Sequence, residues 1–161
     1  MNHGVQLIGF DLGTSAVKAV LTDTRGTILG KASRPVSLIH TDENYLEIDP
    51  DLYFDNVVDI IRELADVSGN PQSVKAISFA ASSGNTLLLD SDYRPVMNTI
   101  SWLDGRSAGK AAELWPELNA ERIYQDAGWP WSGGFPLAHL AWIRDFRPDV
   151  WKSARYFAMN N

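Results

Sequence analysis

A chain of 161 residues with 45% hydrophobic content has enough apolar matter for one compact domain burying roughly 70% of its unfolded surface. Its net charge of -6 offers no basic field for a nucleic acid, and the absence of cysteine excludes disulfides, thiolate metal sites and a cysteine nucleophile. No window approaches the ~18 apolar residues a membrane span needs, and the N-terminus lacks a basic segment followed by a long apolar run.

Along the chain, "VQLIGFD" reads as a buried strand, and "VKAVLTD" and "TILGKASRPV" as two more. The latter pair is joined by Asp23, Thr24, Arg25 and Gly26, where aspartate opens a tight turn and glycine closes it. An antiparallel meander therefore opens the fold. "IHTDENYLEID" reads as a polar loop. A helix then starts at Asp49 as cap and Pro50 as first residue, with Phe54, Val57, Val58, Ile61, Leu64 and Ala65 on one face. Gly69, Asn70 and Pro71 stop it.

"VKAISFA" follows as a strand reached by a crossover and so parallel to its predecessor. "TLLLD" is another strand, with a turn at Ser91 to Pro95 and an extended piece from Met97 to Ser101. The pattern is helical from Gly105 through about Asp126, and again from Phe135 to Phe146. Of the six tryptophans, Trp115, Trp142 and Trp151 occupy helix positions that bury anchors, whereas Trp129 and Trp131 flank Pro130 in a loop suited to the edge of a site. "ARYFAM" reads as a strand just begun, with nothing after it to pair, which leads to the expectation of a truncated chain.

The stretch "IGFDLGTSAVKAVLTD" carries the first functional signal. Gly13, Thr14 and Ser15 offer unshielded backbone N–H groups and hydroxyls, a concavity suited to phosphate oxygens. Asp11 beside a phosphate is opposed by about 4 kcal/mol at ~4 Å and an effective dielectric near 20, so a cation or water must lie between. Mg2+, which takes one or two carboxylates and keeps several waters, satisfies that demand. Lys18 adds positive charge if the hairpin returns it toward the loop. The same residue types also build an ordinary Asx-type turn. Neither a P-loop nor G-x-G-x-x-G with a following helix is present.

"IGFDLGTSAVKAVLTDTRGTIL" resembles the N-terminal phosphate motif of the FGGY carbohydrate kinases, members of the actin-like ATPase superfamily. "YLEIDPDLYFDNVVDII", "ISWLDGRS" and "AGWPWSGGFPLAHLAWIRDFRPDVW" resemble further segments of that family in the same order, with xylulose kinases the most similar members. The resemblance implies an α/β, ribonuclease H-like domain with a mixed sheet and helices on its faces. It implies that residues 1–161 supply most of a first domain, the second domain lying outside this chain.

The resemblance further implies ATP and Mg2+ as cofactors, a small sugar as substrate, neither nucleic acid nor membrane as partner, a cytoplasmic location and room for a homodimer. Residue by residue, Asp11 would orient hydrated magnesium and the moving phosphoryl group. Gly13, Thr14, Ser15 and Lys18 would serve the phosphates. Trp102, Asp104 and Arg106 would meet the sugar, a carboxylate and a forked guanidinium suiting a polyol; without the family, Asp104 reads equally as a helix cap. Ser82, Ser83 and Gly84 stand where xylulose kinases carry Gln-Met-His, which leaves Ser82 and Ser83 facing the sugar and the substrate open. His139 stands at the family's lysine-like position and reads as a packing or surface residue. The family's catalytic base, second phosphate loop and adenosine pocket lie downstream of these residues. A non-catalytic sugar or nucleotide sensor on the same fold is the alternative function.

Overall fold

Period-two burial builds the first strands of the computed structural model, which describes residues 4–42, 44–116 and 119–159. Strand β1 (Gln6–Leu12) buries Ile8, Phe10 and Leu12, and β2 (Ala16–Asp23) buries Val17, Ala19 and Leu21. Antiparallel register sets Phe10 opposite Ala19, and Ala19 opposite Ala32 of β3 (Ile28–Pro35), so the buried side chains share one face. The β2–β3 turn is the expected one: Asp23 accepts from the amides of Arg25 and Thr27, and Gly26 closes it at φ 82°.

Helix α1 (Pro50–Ser68) covers this face, with Tyr53, Ile60 and Leu64 buried. Its contact stripe is rotated from the expected one, since Phe54 is 66% exposed. Tyr53 wins the inward position because its ring packs while its hydroxyl donates to the Gly13 carbonyl at 3.2 Å. Helix and sheet approach closely at Gly30, where a Cβ would lie 2.8 Å from Val67 Cγ1 and would have to displace that side chain. The helix ends at Gly69 (φ 65°), and a 3-10 turn follows over Pro71–Ser73, capped by Asn70. Strand β6 (Val74–Ala81) then lies parallel to β1, as the crossover requires, and the Phe10 and Phe79 rings stack at 5.1 Å. The sheet order is β3-β2-β1-β6, a mixed sheet opened by an antiparallel meander.

These elements form one unit, residues up to Ser37 with Pro50–Ser82; Leu38–Asp49 and the residues from Ser83 form a second. In the second unit, the segment expected as a polar loop is a hairpin, β4 (Ile39–Asp42) and β5 (Tyr45–Ile48). Strand β5 also pairs antiparallel with β8 (Thr99–Ile100). That pairing with residues some fifty positions away is what turns a polar segment into a strand. Strand β7 (Leu87–Leu89) pairs antiparallel with β9 (Tyr156–Ala158), the strand expected near the end of the sequence.

The long helical run is two helices, α2 (Ala108–Leu114) and α3 (Ala120–Ala127). Pro116, which lacks an N–H and obstructs the preceding turn, accounts for the break. Helices α4 (Pro136–Phe146) and α5 (Pro148–Ser153) complete the unit. Leu88, Ile100, Ile143 and Val150 form one core cluster, and Ala111, Trp131 and Ala138 another.

The tryptophan expectations are partly reversed. Trp142 packs against the first cluster as expected, but Trp115 and Trp151 are exposed, whereas Trp131 is buried and donates Nε1–H to the Ala111 carbonyl at 2.9 Å. Trp131 is the indole that finds both an apolar pocket and an acceptor, and helix α2 is too short to bury Trp115 beyond its end.

Candidate functional site

In the first unit, β1 delivers Asp11 to the end of the sheet. Alternation turns Phe10 and Leu12 inward, so Asp11 faces out, its side chain 62% exposed. Lys18 lies opposite it across the β1–β2 ladder, with Nζ 3.9 Å from Oδ2. An exposed pair at that distance adds little to stability and leaves both charges available to a ligand.

Gly13, Thr14 and Ser15 make the turn between the strands. The Gly13 amide donates to the Ala16 carbonyl at 3.2 Å, and a Cβ on Gly13 would sit 2.9 Å from that oxygen, so the turn needs glycine. The Leu12 carbonyl accepts from the Ser82 amide, that of Gly13 from Tyr53, and that of Ser15 from the Val36 amide. Tying down these carbonyls spends the negative ends of the local peptide dipoles on the protein, a prerequisite for receiving an anion. Thr14 is half-buried and Ser15 exposed. Ser82, expected on the sugar side, meets this turn: its Oγ lies 3.4 Å from the Leu12 carbonyl.

In the second unit, Asp104 and Arg106 are enclosed, with side chains 0% and 2% exposed. Asp104 Oδ1 accepts from the Arg106 amide and Nε, and its Oδ2 accepts from the Leu46 amide at 2.5 Å. The Arg106 Nη2 donates to Asp104 Oδ2 and to Glu47 Oε1 at 2.8 Å. The guanidinium also faces the rings of Tyr45 at 4.2 Å and Trp142 at 5.2 Å. Burial by itself lowers the Arg106 pKa, but the hydrogen bonds to Asp104 and Glu47 outweigh it and hold the group above its ordinary value. These two side chains, expected at the sugar, are engaged with each other and with β5, where they anchor the loop carrying Trp102. The capping alternative is not met, because Ser107 occupies the N-cap of α2 and Asp104 makes an Asx-type turn ahead of it. Ser83 and Trp102 are exposed, Trp102 by 39%.

His139 is fully buried on α4, its Nδ1 2.8 Å from Thr86 Oγ1. Burial pushes its pKa down to about 4, against the pull of Asp104 and with the push of Arg106. Since the unfolded chain takes up a proton at about 6.5 and the folded chain at about 4, stability is whole above the higher value and falls through that window on acidification. The expected loss is about 3 kcal/mol. Urea unfolding at pH 7 and pH 4.5 measures it, and His139→Gln should flatten the pH slope by most of that amount. An unchanged slope would mean the imidazole titrates alike in both states.

Residues 6–161 match the model of the FGGY family of carbohydrate kinases, N-terminal domain. The chain belongs to the FGGY family. A gluconokinase of Bacillus licheniformis is 28% identical over 94% of this chain and 29% of its own length. A xylulose kinase of Staphylococcus epidermidis is 27% identical over 95% of this chain and 30% of its own length. The crystal structure of xylulose kinase from Rhodospirillum rubrum superposes with a TM-score of 0.87 at 26% identity, covering 95% of this chain and 32% of that one. The chain thus spans about a third of the length of the relatives it matches, and its fold is the α/β, actin-like fold of the FGGY kinases. Gluconate and xylulose specificities stand level by identity. Among the described residues no helix is long and apolar enough to cross a membrane.

Proposed function

We propose that this chain is the N-terminal part of an ATP-dependent carbohydrate kinase whose acceptor is xylulose or a related ketose or polyol. The carrying observation is the exposed Asp11 at the end of β1, paired across the ladder with Lys18, beside a turn whose carbonyls are engaged within the protein. Among the described residues no three ligating side chains converge on a metal site. That donor set fits a metal held mainly by nucleotide phosphates and water, with Asp11 as its one protein carboxylate. Magnesium bound there would neutralise charge on the transferring phosphoryl group.

The reaction proposed is in-line displacement. The acceptor hydroxyl oxygen bonds to the γ-phosphorus, the bridging P–O bond breaks toward ADP, and the hydroxyl proton goes to a base outside residues 1–161. Thr14, Ser15 and Lys18 hold phosphate oxygens, while Gly13, whose amide is engaged by the Ala16 carbonyl, shapes the turn and Ser82 braces it. Ser83 and Trp102 serve the sugar, while Asp104 and Arg106 position Trp102. A neutral sugar is favoured over an aldonate, because Arg106 is already shared by two carboxylates and the cluster keeps a negative excess.

The test is ADP release by the longer enzyme carrying this domain, over a panel of ketopentoses, polyols and aldonates. ATP consumption dependent on a ketose or polyol is expected, with none from the isolated 161-residue chain. Strict preference for an aldonate would overturn the substrate reading, and sugar binding without ADP release would support the sensor instead.

A further inference from the structure

Trp102 has the geometry of a fixed platform. The residue is 39% exposed, yet its backbone is held from several directions. The amide donates to Oδ1 of Asn85 at 3.0 Å, and Asn85 is itself fully buried. A Cβ on Gly84, which sits at φ 91°, would lie 2.9 Å from the Trp102 Cβ. A Cβ on Gly134 would lie 2.8 Å from the Trp102 carbonyl oxygen. Just before Trp102, Ile100 and Thr86 exchange both backbone hydrogen bonds at 2.9 Å, and the Ser101 amide donates to the Leu46 carbonyl.

We propose that Asn85, with Gly84 and Gly134 as close-packed supports, acts beside the Asp104–Arg106 anchor to position Trp102 for sugar recognition. The inference rests on the kinase reading above and deepens its sugar side. Gly84 stands at the last position of the Gln-Met-His pattern, and in this chain a Cβ there would meet the Trp102 Cβ. A half-exposed indole on a restrained backbone meets its ligand without ordering cost, whereas a displacement on the order of 1 Å can forfeit about a hundredfold in rate. Asn85 serves because its carboxamide oxygen satisfies a main-chain N–H from a buried position, where an unpaired donor is costly.

The experiment has two arms. In the 161-residue chain labelled with fluorotryptophan, fluorine NMR resolves the tryptophans and Trp102→Phe identifies the resonance of interest. Asn85→Ala and, independently, Gly134→Ala should each shift the Trp102 resonance, while Asn85→Asp, which keeps the acceptor oxygen, should hold it near its wild-type position. In the longer enzyme, Asn85→Ala and Gly134→Ala should raise the sugar KM about tenfold or more with the ATP KM within about twofold, and Asn85→Asp should recover most of the loss. A Trp102 resonance unmoved by both alanine variants overturns the positioning role. A moved resonance with an unchanged sugar KM overturns its bearing on recognition and leaves the kinase reading standing. A wild-type enzyme without sugar-dependent ADP release overturns the kinase reading, and with it the sugar role, whatever the NMR arm shows.

Discussion

Asp11→Asn is expected to lower sugar phosphorylation turnover by about a hundredfold or more, with the sugar KM changed by less than about twofold. Asparagine keeps the shape of the side chain and tolerates the turn that follows, so the substitution removes a charge and little else. The pair with Lys18 spans 3.9 Å with both side chains more than half exposed, so losing it should cost well under about 1 kcal/mol of stability. The whole effect should therefore fall on the transition state, where charge on the moving phosphoryl group is greatest. Steady-state kinetics of the longer enzyme, with unfolding midpoints of both proteins as control, make the measurement. Loss of sugar affinity with turnover per bound sugar intact would show that Asp11 serves the acceptor and not the phosphate.

Arg106→Ala is expected to destabilise the chain by about 3–5 kcal/mol. The substitution leaves Asp104, with no exposed side-chain surface, and Glu47, at 13%, facing each other's charge without their shared cation. It also empties the space between the Tyr45 and Trp142 rings. Arg106→Lys should recover only part of the loss, because an ammonium cannot present the fork that meets Asp104 twice and Glu47 once. Urea unfolding reads the difference. A loss below about 1 kcal/mol would mean that water screens the cluster as it does a surface pair. Severe destabilisation would also release the loop that carries Trp102, so sugar affinity should fall with stability in Arg106 variants.

Local patterns account for the features legible in the sequence. The Asp23–Gly26 turn follows from residue types within four positions, and Asp90 builds a second turn the same way, accepting from the amides of Asp92 and Arg94. The outward direction of Asp11 follows from strand alternation alone, and the parallel placement of β6 from the helical crossover. The features that escaped depend on partners far along the chain. Strand β5 exists through pairing with β8. His139 is buried through Thr86, 53 positions away, and Asp104 is sealed by the Leu46 amide, 58 positions away. A Trp-x-Asp-x-Arg segment carries no mark of whether its acid and base face a ligand or each other.

The family, the opening meander, the Gly13–Ser15 turn and helix α1 are legible in the chain alone, because each is written in short-range period, turn chemistry and motif order. Long-range packing sets the rest: Asp104 and Arg106 are engaged with Leu46 and Glu47, Trp131 and not Trp115 is the buried anchor, and Gly84 and Asn85 fit against Trp102. Burial and hydrogen-bond partnership are properties of what the rest of the chain brings alongside a residue, and no window of sequence around that residue contains them.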